Sequence, residues 1–363
     1  MASDAPFDPC ASAQVADFVR GLGSPGLETR IHPLDEMYRF ELAAPHRTAD
    51  AAAIRYFAAG HAIARTVSEL AAWRYGSVGA AGRLLDFASG FGRTTRFLAR
   101  ALPAPRITVA EIDARAVRFQ AETFGVDALV CGHDPASLAA CGPFDLVVAA
   151  SLFSHLPAGR FEAWLARLAA LVAPGGLLVF STHGERLLPP AARLPPSGIA
   201  FEPHSETERL PGEEYGTAWV SPEFVGPVSA SVAPDGRLLF YEDGLCGAQD
   251  LYVLARPPLP PGAPRLVRDP MGALEWAAVE NGKVRARGWA RGAADERPPD
   301  VRVVAGGTLV VASPGEGPPG ARREWLFEFP IDGIPPDRVI RIEAVSARGI
   351  PRLLVTETLG PYL

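Results

Sequence analysis

The stretch L-L-D-F-A-S-G-F-G-R-T-T at positions 84–95 constrains this chain more than any other. A short apolar strand runs into an acid, Asp86, then a Gly-x-Gly turn at Gly90 and Gly92, then the start of a helix. Glycines at such a turn let the backbone approach a ligand closely, and the helix N-terminus offers free N–H groups. A pyrophosphate-binding fingerprint needs a third glycine at position 95, where this chain has Thr95. The acid at the strand end would also repel a pyrophosphate. It suits a ligand that carries an ammonium or sulfonium cation.

The surrounding pattern repeats the strand–helix unit. A helix is predicted over 51–75, a strand over 83–87, a helix from Thr94 to before Pro103, a strand over 107–110 and a helix over 114–124. Strands follow at 128–131 and 144–150, the second a near-continuous apolar run suited to a strand covered on both faces. A helix over 160–171 should stop at Pro174-Gly175-Gly176, with a strand over 177–181 next. Residues 184–227, rich in Pro, Glu and Gly, are too long for an idle connection and are expected to cover a site. A hairpin is expected from 237–241 and 251–255. The run R-P-P-L-P-P-G-A-P-R at 256–265 reads as a stiff linker. Beyond it, short β-branched or aromatic segments at 283–291, 301–304, 308–312, 325–329, 339–345 and 352–356 predict a compact β-sandwich.

D-F-A-S-G-F-G resembles the glycine-rich first motif of the class I S-adenosylmethionine-dependent methyltransferases. The likeness continues in order through Glu111 in T-V-A-E-I-D, Asp134 in C-G-H-D, F-D-L-V-V-A-A-S-L-F-S-H-L, L-V-A-P-G-G-L-L and Q-D-L-Y-V-L, covering roughly residues 50–256. It implies an α/β fold: a doubly wound, mostly parallel seven-stranded sheet with an antiparallel last strand, here followed by a C-terminal all-β sandwich. It also implies S-adenosyl-L-methionine as cofactor, with Asp86 near its methionine end, Gly90 and Gly92 at the floor of the pocket, and Ser89 and Phe91 among the cofactor-binding residues. Glu111 and Ile112 would stand at the ribose, Asp134 near the adenine and Ser151 after the fourth strand; Tyr56 matches positions where related enzymes fold a lid helix. Each acid has a plainer reading as a strand-end polar group, and Asp134 could be only a turn former ahead of Pro135. Tyr56 could equally be a packing residue.

His155 and His183 follow the fourth and fifth strands, where open α/β sheets gather ligands, and are the candidate general bases. Either could instead pack or orient a loop. His204 and Glu213-Glu214-Tyr215 lie in the long covering segment and are candidates for substrate contact. The expected reaction is methyl transfer to an oxygen, less readily a nitrogen, of a small molecule or glycan. The preference for a sugar comes from the sandwich segment at 282–290, which is similar to accessory modules beside enzymes of surface-glycan assembly. A non-catalytic binding protein of the same fold, or a nicotinamide-dependent oxidoreductase, are the rival readings. For the sandwich itself, glycan binding stands beside a structural or dimerising role.

The expected organisation is an extension over 1–50, the methyltransferase domain over 51–256, the linker over 257–265 and the sandwich over 266–363. With 363 residues and a formal charge of −6, the chain has room for two domains and lacks the basic surplus of a nucleic-acid binder. No run approaches a membrane span, Met1–Cys10 does not read as a secretory signal, and the four dispersed cysteines suggest neither a zinc site nor a disulfide framework. A cytoplasmic protein without a metal is the expectation.

Overall fold

The computed structural model describes residues 5–45, 47–138, 141–204, 210–293, 295–349 and 351–358. They divide into two compact units, one of residues 63–266 and one combining residues 1–62 with 267–363.

The N-terminal segment, expected only as an extension, contains α1 (Ala13–Gly21) and α2 (Glu36–Ala43) and leads into α3 (Ala49–Tyr75). Asp35 starts α2 as its N-cap, with one carboxylate oxygen accepting from the N–H groups of Met37 at 3.0 Å and Tyr38 at 3.2 Å. In α1 the apolar Val15, Phe18 and Val19 fall at i, i+3 and i+4 on one face, and the two valines are buried.

Residues 63–266 supply β1 (Leu84–Phe87), α4 (Thr95–Ala101), β2 (Ile107–Glu111), α5 (Ala114–Phe124), β3 (Asp127–Val130), β4 (Phe144–Ala149), α6 (Ala158–Ala170), β5 (Val172–Thr182), β6 (Ile199–Glu202), β7 (Thr217–Val220), α7 (Pro222–Val232), β8 (Arg237–Leu245) and β9 (Gln249–Ala255). Seven strands form one sheet in the order β3-β2-β1-β4-β5-β9-β8. β1 to β5 run parallel, and β9 pairs antiparallel with both β5 and β8. The central strands are buried throughout and apolar but for Thr108 and the acids Asp86 and Glu111, as a sheet covered by helices requires. α5 is bounded by its own chemistry: Asp113 caps its start, and Gly125 takes the left-handed conformation at its end with φ 68°.

The turn Pro174-Gly175-Gly176 ends no helix. α6 has closed at Ala170, and β5 begins at Val172, where it pairs with Phe144. The register with β4 then shifts before Leu146 meets Leu177, so the Pro–Gly–Gly run is absorbed as an irregularity inside the strand.

The chain crosses from β1 outward to β2 and β3, then returns to place β4 on the other side of β1. That reversal opens a crevice at the C-terminal ends of β1 and β4, where ligands settle in open α/β sheets. Apolar side chains of the sheet, including Leu85, Phe87, Val147 and Phe180, form one core with Phe161, Trp164, Leu165 and Leu168 of α6. No helix among the described residues is long and apolar enough to cross a membrane.

The C-terminal strands are β10 (Met271–Glu280), β11 (Lys283–Arg291), β12 (Asp300–Ala305), β13 (Thr308–Ser313), β14 (Arg323–Pro330), β15 (Val339–Val345) and β16 (Pro351–Thr358). They form an antiparallel three-stranded sheet, β10-β11-β14, and an antiparallel four-stranded sheet, β13-β12-β15-β16. Val284, Ala286, Trp325, Phe327 and Phe329 of the first sheet share a core with Val301, Val303, Ile340 and Ile342 of the second. This is a sandwich, as expected, with β10 as the strand that the alternation of M-G-A-L-E-W-A-A-V-E did not reveal.

Candidate active site

The turn after β1 is held open by residues that come from three neighbouring elements. Ala88, Gly90 and Gly92 all have positive φ, at 54°, 56° and 81°. Gly92 must be glycine, since an added Cβ would lie 2.4 Å from the Phe124 ring and 2.8 Å from the Gln120 amide oxygen. Gly90 is different: a Cβ there would meet nothing within 4 Å. The turn is therefore packed against α5 behind Gly92 and faces open space at Gly90.

Glu111, at the end of β2, accepts the Gly90 N–H on one carboxylate oxygen at 2.9 Å and the Ile112 N–H on the other at 2.7 Å. The second oxygen also accepts the Asp113 N–H at 3.3 Å, so three backbone donors orient this carboxylate. Gln120 on α5, fully buried, donates its amide to the Ser89 hydroxyl and the Gly90 carbonyl, each at 2.8 Å. Phe91 is buried and its ring lies 6.0 Å from that of Phe119.

Asp86 is buried and accepts a hydrogen bond from the Thr95 hydroxyl at 2.7 Å. Burial pushes its carboxyl up to about 6; the Thr95 bond opposes this and the nearby Glu111 charge adds to it. A second carboxylate beside a buried one is a poor arrangement for an anion and a good one for a cation. The residues of the turn thus fit a ligand with a positive charge near Asp86, hydroxyls near Glu111 and a body over Gly90.

Asp134 is exposed just after β3 and caps its own turn, accepting the Ala136 N–H at 2.9 Å. Ser151 follows β4 with φ 63°, an uncommon conformation for a residue with a side chain. Its N–H donates to the Ser181 hydroxyl at 2.8 Å, and both serine hydroxyls donate to the Gln249 amide oxygen, at 3.0 and 2.7 Å. This clamp ties together the ends of β4, β5 and β9. Tyr56 lies in the other unit, where its hydroxyl donates to Asp35 at 2.6 Å.

The long segment after β5 lies along the loops that leave β4 and β5. Ala218 N–H of β7 donates to Ser154 O at 2.7 Å, Gly216 N–H to His155 O at 2.9 Å and Val220 N–H to His183 O at 2.8 Å. The two histidines are thereby brought together, ring centroids 5.9 Å apart and edge to face. His155 Nδ1 lies 2.8 Å from the Gly216 carbonyl. A carbonyl only accepts, so Nδ1 is the donor, and in the neutral ring the lone pair is on Nε2. Tyr215 stacks on the same ring at 4.8 Å, and Glu214 beside it pairs with Arg160 at 2.8 Å. His183 is depressed to about 4, chiefly by burial and then by His155, and its Nδ1 is buried without a partner among the described residues. His204 sits apart, exposed at the end of β6. No group of three or more His, Cys, Asp or Glu among the described residues could hold a metal ion.

Sequence reasoning missed Gln120, Ser181 and Gln249. Gln120 left a trace as a polar residue on the apolar stripe of α5; the other two depend on β9 pairing with β5, which no local pattern encodes.

Comparison with known proteins bears on the same segment. The family described as a methyltransferase domain matches residues 85–178. No curated protein sequence matches the chain. Among solved structures, a DhpI–SAH complex is 16% identical, with 68% of this chain and 96% of that one covered at a TM-score of 0.39. The N-methyltransferase NodS from Bradyrhizobium japonicum, solved with S-adenosyl-l-homocysteine, is 14% identical over 61% and 99% at 0.36. Magnesium protoporphyrin IX methyltransferase from Synechocystis, with bound SAM, is 15% identical over 68% and 97% at 0.39. The family match from β1 into β5, seated on a mostly parallel seven-stranded sheet with its antiparallel strand, identifies the chain as carrying a class I S-adenosylmethionine-dependent methyltransferase domain.

Proposed function

We propose that this chain transfers the methyl group of S-adenosylmethionine to an oxygen of a small molecule or sugar. The observation that carries the reading is the His155 ring, fixed with its proton on Nδ1 and its Nε2 lone pair available beside the ends of β4 and β5. When bound, the cofactor supplies a methyl group made electrophilic by its sulfonium, which leaves as a neutral thioether. Asp86 would hold the cationic methionine end, Ser89, Gly90, Phe91 and Gly92 the floor beneath it, and Glu111 with Ile112 the ribose; Asp134 would stand at the adenine edge and Ser151 beside the methionine. His155 Nε2 would take the proton of the acceptor hydroxyl as oxygen meets the methyl carbon. His183, already depressed, stays neutral and leaves that proton to His155. The chain's remaining task is alignment in a site closed by the segment around β7.

We assign methyl transfer to residues 51–256 and an accessory role to the sandwich over 266–363, joined by 257–265. None of the four cysteines is in a disulfide, which fits a cytoplasmic protein. Methyl incorporation from labelled S-adenosylmethionine, measured against hydroxylated small molecules, sugars and matched amines, tests the reading. Hydroxyl acceptors should be methylated, and His155→Gln should lower kcat by about 10²- to 10⁴-fold with cofactor affinity unchanged. Full activity in His155→Gln, or methylation of the amines alone, would overturn the oxygen reading.

A further inference from the structure

The outer face of the three-stranded sheet carries a feature that the methyltransferase reading leaves unused. Burial alternates along β11: Val284, Ala286 and Ala290 point inward, while Lys283, Arg285 and Arg287 are exposed. Trp276 of β10 pairs with Arg287, and Arg287 pairs with Leu326 of β14. Residues directly paired across strands share a face, with Cβ atoms about 5 Å apart. Trp276, Arg287 and Leu326 therefore stand abreast, with Trp276 40% and Leu326 66% exposed.

The charges around this row are satisfied. Glu328 receives Lys283 at 2.6 Å and Arg285 at 3.1 Å, and Arg322 reaches Glu275 and Glu324, each at 2.9 Å. Arg322 also lies 4.8 Å over the ring of Trp289, the next outward residue along β11. Arg287 alone of the arginines on this face has no carboxylate or hydrogen-bond partner among the described residues. An unpaired guanidinium between two exposed apolar side chains is set for a planar anion whose carrier has an apolar side.

We infer that this face is a binding site for carboxylated pyranoses, the acidic sugars of a glycan. The apolar face of one sugar ring lies on Trp276 and Leu326, its carboxylate forms a paired hydrogen bond with Arg287, and its hydroxyls meet the charged rim. A nucleic acid would use the same pairing of aromatic and cation, but Glu275, Glu280, Glu324 and Glu328 stand among the basic residues here and would repel a phosphate backbone. The inference concerns the sandwich alone and does not depend on methyl transfer.

Titration of the full chain with oligogalacturonate, a hyaluronan tetrasaccharide and sialyllactose, followed by tryptophan fluorescence and calorimetry, tests it. At least one acidic sugar should bind, should bind more weakly as salt is raised, and should exceed neutral cellotetraose by about tenfold or more. Trp276→Ala and Arg287→Leu should each weaken binding about tenfold or more, while Arg285→Leu, an already paired arginine, should stay within about twofold. Circular dichroism checks that each variant is folded, and any variant that is not is replaced by Trp276→Phe or Arg287→Lys. The inference is overturned by no binding of any acidic sugar, by equal binding of cellotetraose, by preference for a uridine oligonucleotide, or by a face that only brings two copies together in sedimentation.

Discussion

Asp86 is a carboxylate that nothing among the described residues neutralises. Its hydrogen-bond donor is a neutral hydroxyl, its charged neighbour is another acid, and burial keeps its proton on up to about pH 6. The unfolded chain would release that proton near about pH 4. Between those values the folded state holds more protons, so this group's contribution to stability falls as pH rises from about 4 to 6 and is level above. A cationic ligand favours the ionised form and must displace the proton. Cofactor affinity is therefore expected to be flat above about pH 7 and to fall by up to about tenfold per unit below pH 6. Calorimetry in buffers of different ionisation heat reads the released proton directly, and Asp86→Asn should bind weakly with no such slope. An unchanged slope in Asp86→Asn would place the titrating group elsewhere.

At the scale of elements, the two glycines of the turn make separable predictions. Gly92→Ala forces a side chain into positive φ and onto Phe124 and Gln120, so it should lose about 2 kcal/mol or more of stability, read from denaturant unfolding. Gly90→Ala meets open space, so its stability cost should be only the conformational one of about 1 kcal/mol, while its methyl group intrudes where the cofactor would lie and lowers affinity. A Gly90→Ala variant with undiminished affinity would mean that this space is not the cofactor's. Elements bounded by local chemistry were legible in the sequence: β2 and β4 as apolar runs, α5 through Asp113 and Gly125. Elements that depend on distant partners were not. The Pro174-Gly175-Gly176 run looks like a helix stop because the bonds that hold it in β5 are distant ones, Gly175 N–H to the Pro257 carbonyl and Arg256 N–H to the Gly176 carbonyl. Likewise the acids of the site were legible at strand ends, whereas the Ser151–Ser181–Gln249 clamp exists only once β9 lies beside β5.

At the scale of the whole molecule, chain order and compact units do not coincide. Gln14 accepts the Val339 N–H at 2.9 Å, and the Arg341 guanidinium lies 5.1 Å over the Phe18 ring, so α1 packs with the strand β15 more than 300 positions away. No composition signal marks such a union; only the linker was visible. Cleavage within residues 257–265 should leave the two fragments associated, co-eluting in gel filtration without denaturant, and their separation would show that residues 1–62 are not held by the sandwich. The central claim concerns the other unit: the turn after β1 receives a positively charged methyl donor. Calorimetric titration of the intact chain with S-adenosylmethionine tests it most directly. Saturable binding, weakened about 10- to 100-fold by Asp86→Ala in a folded protein, is the expected result. Equal heats from both proteins, or binding of a nicotinamide dinucleotide in its place, would contradict it.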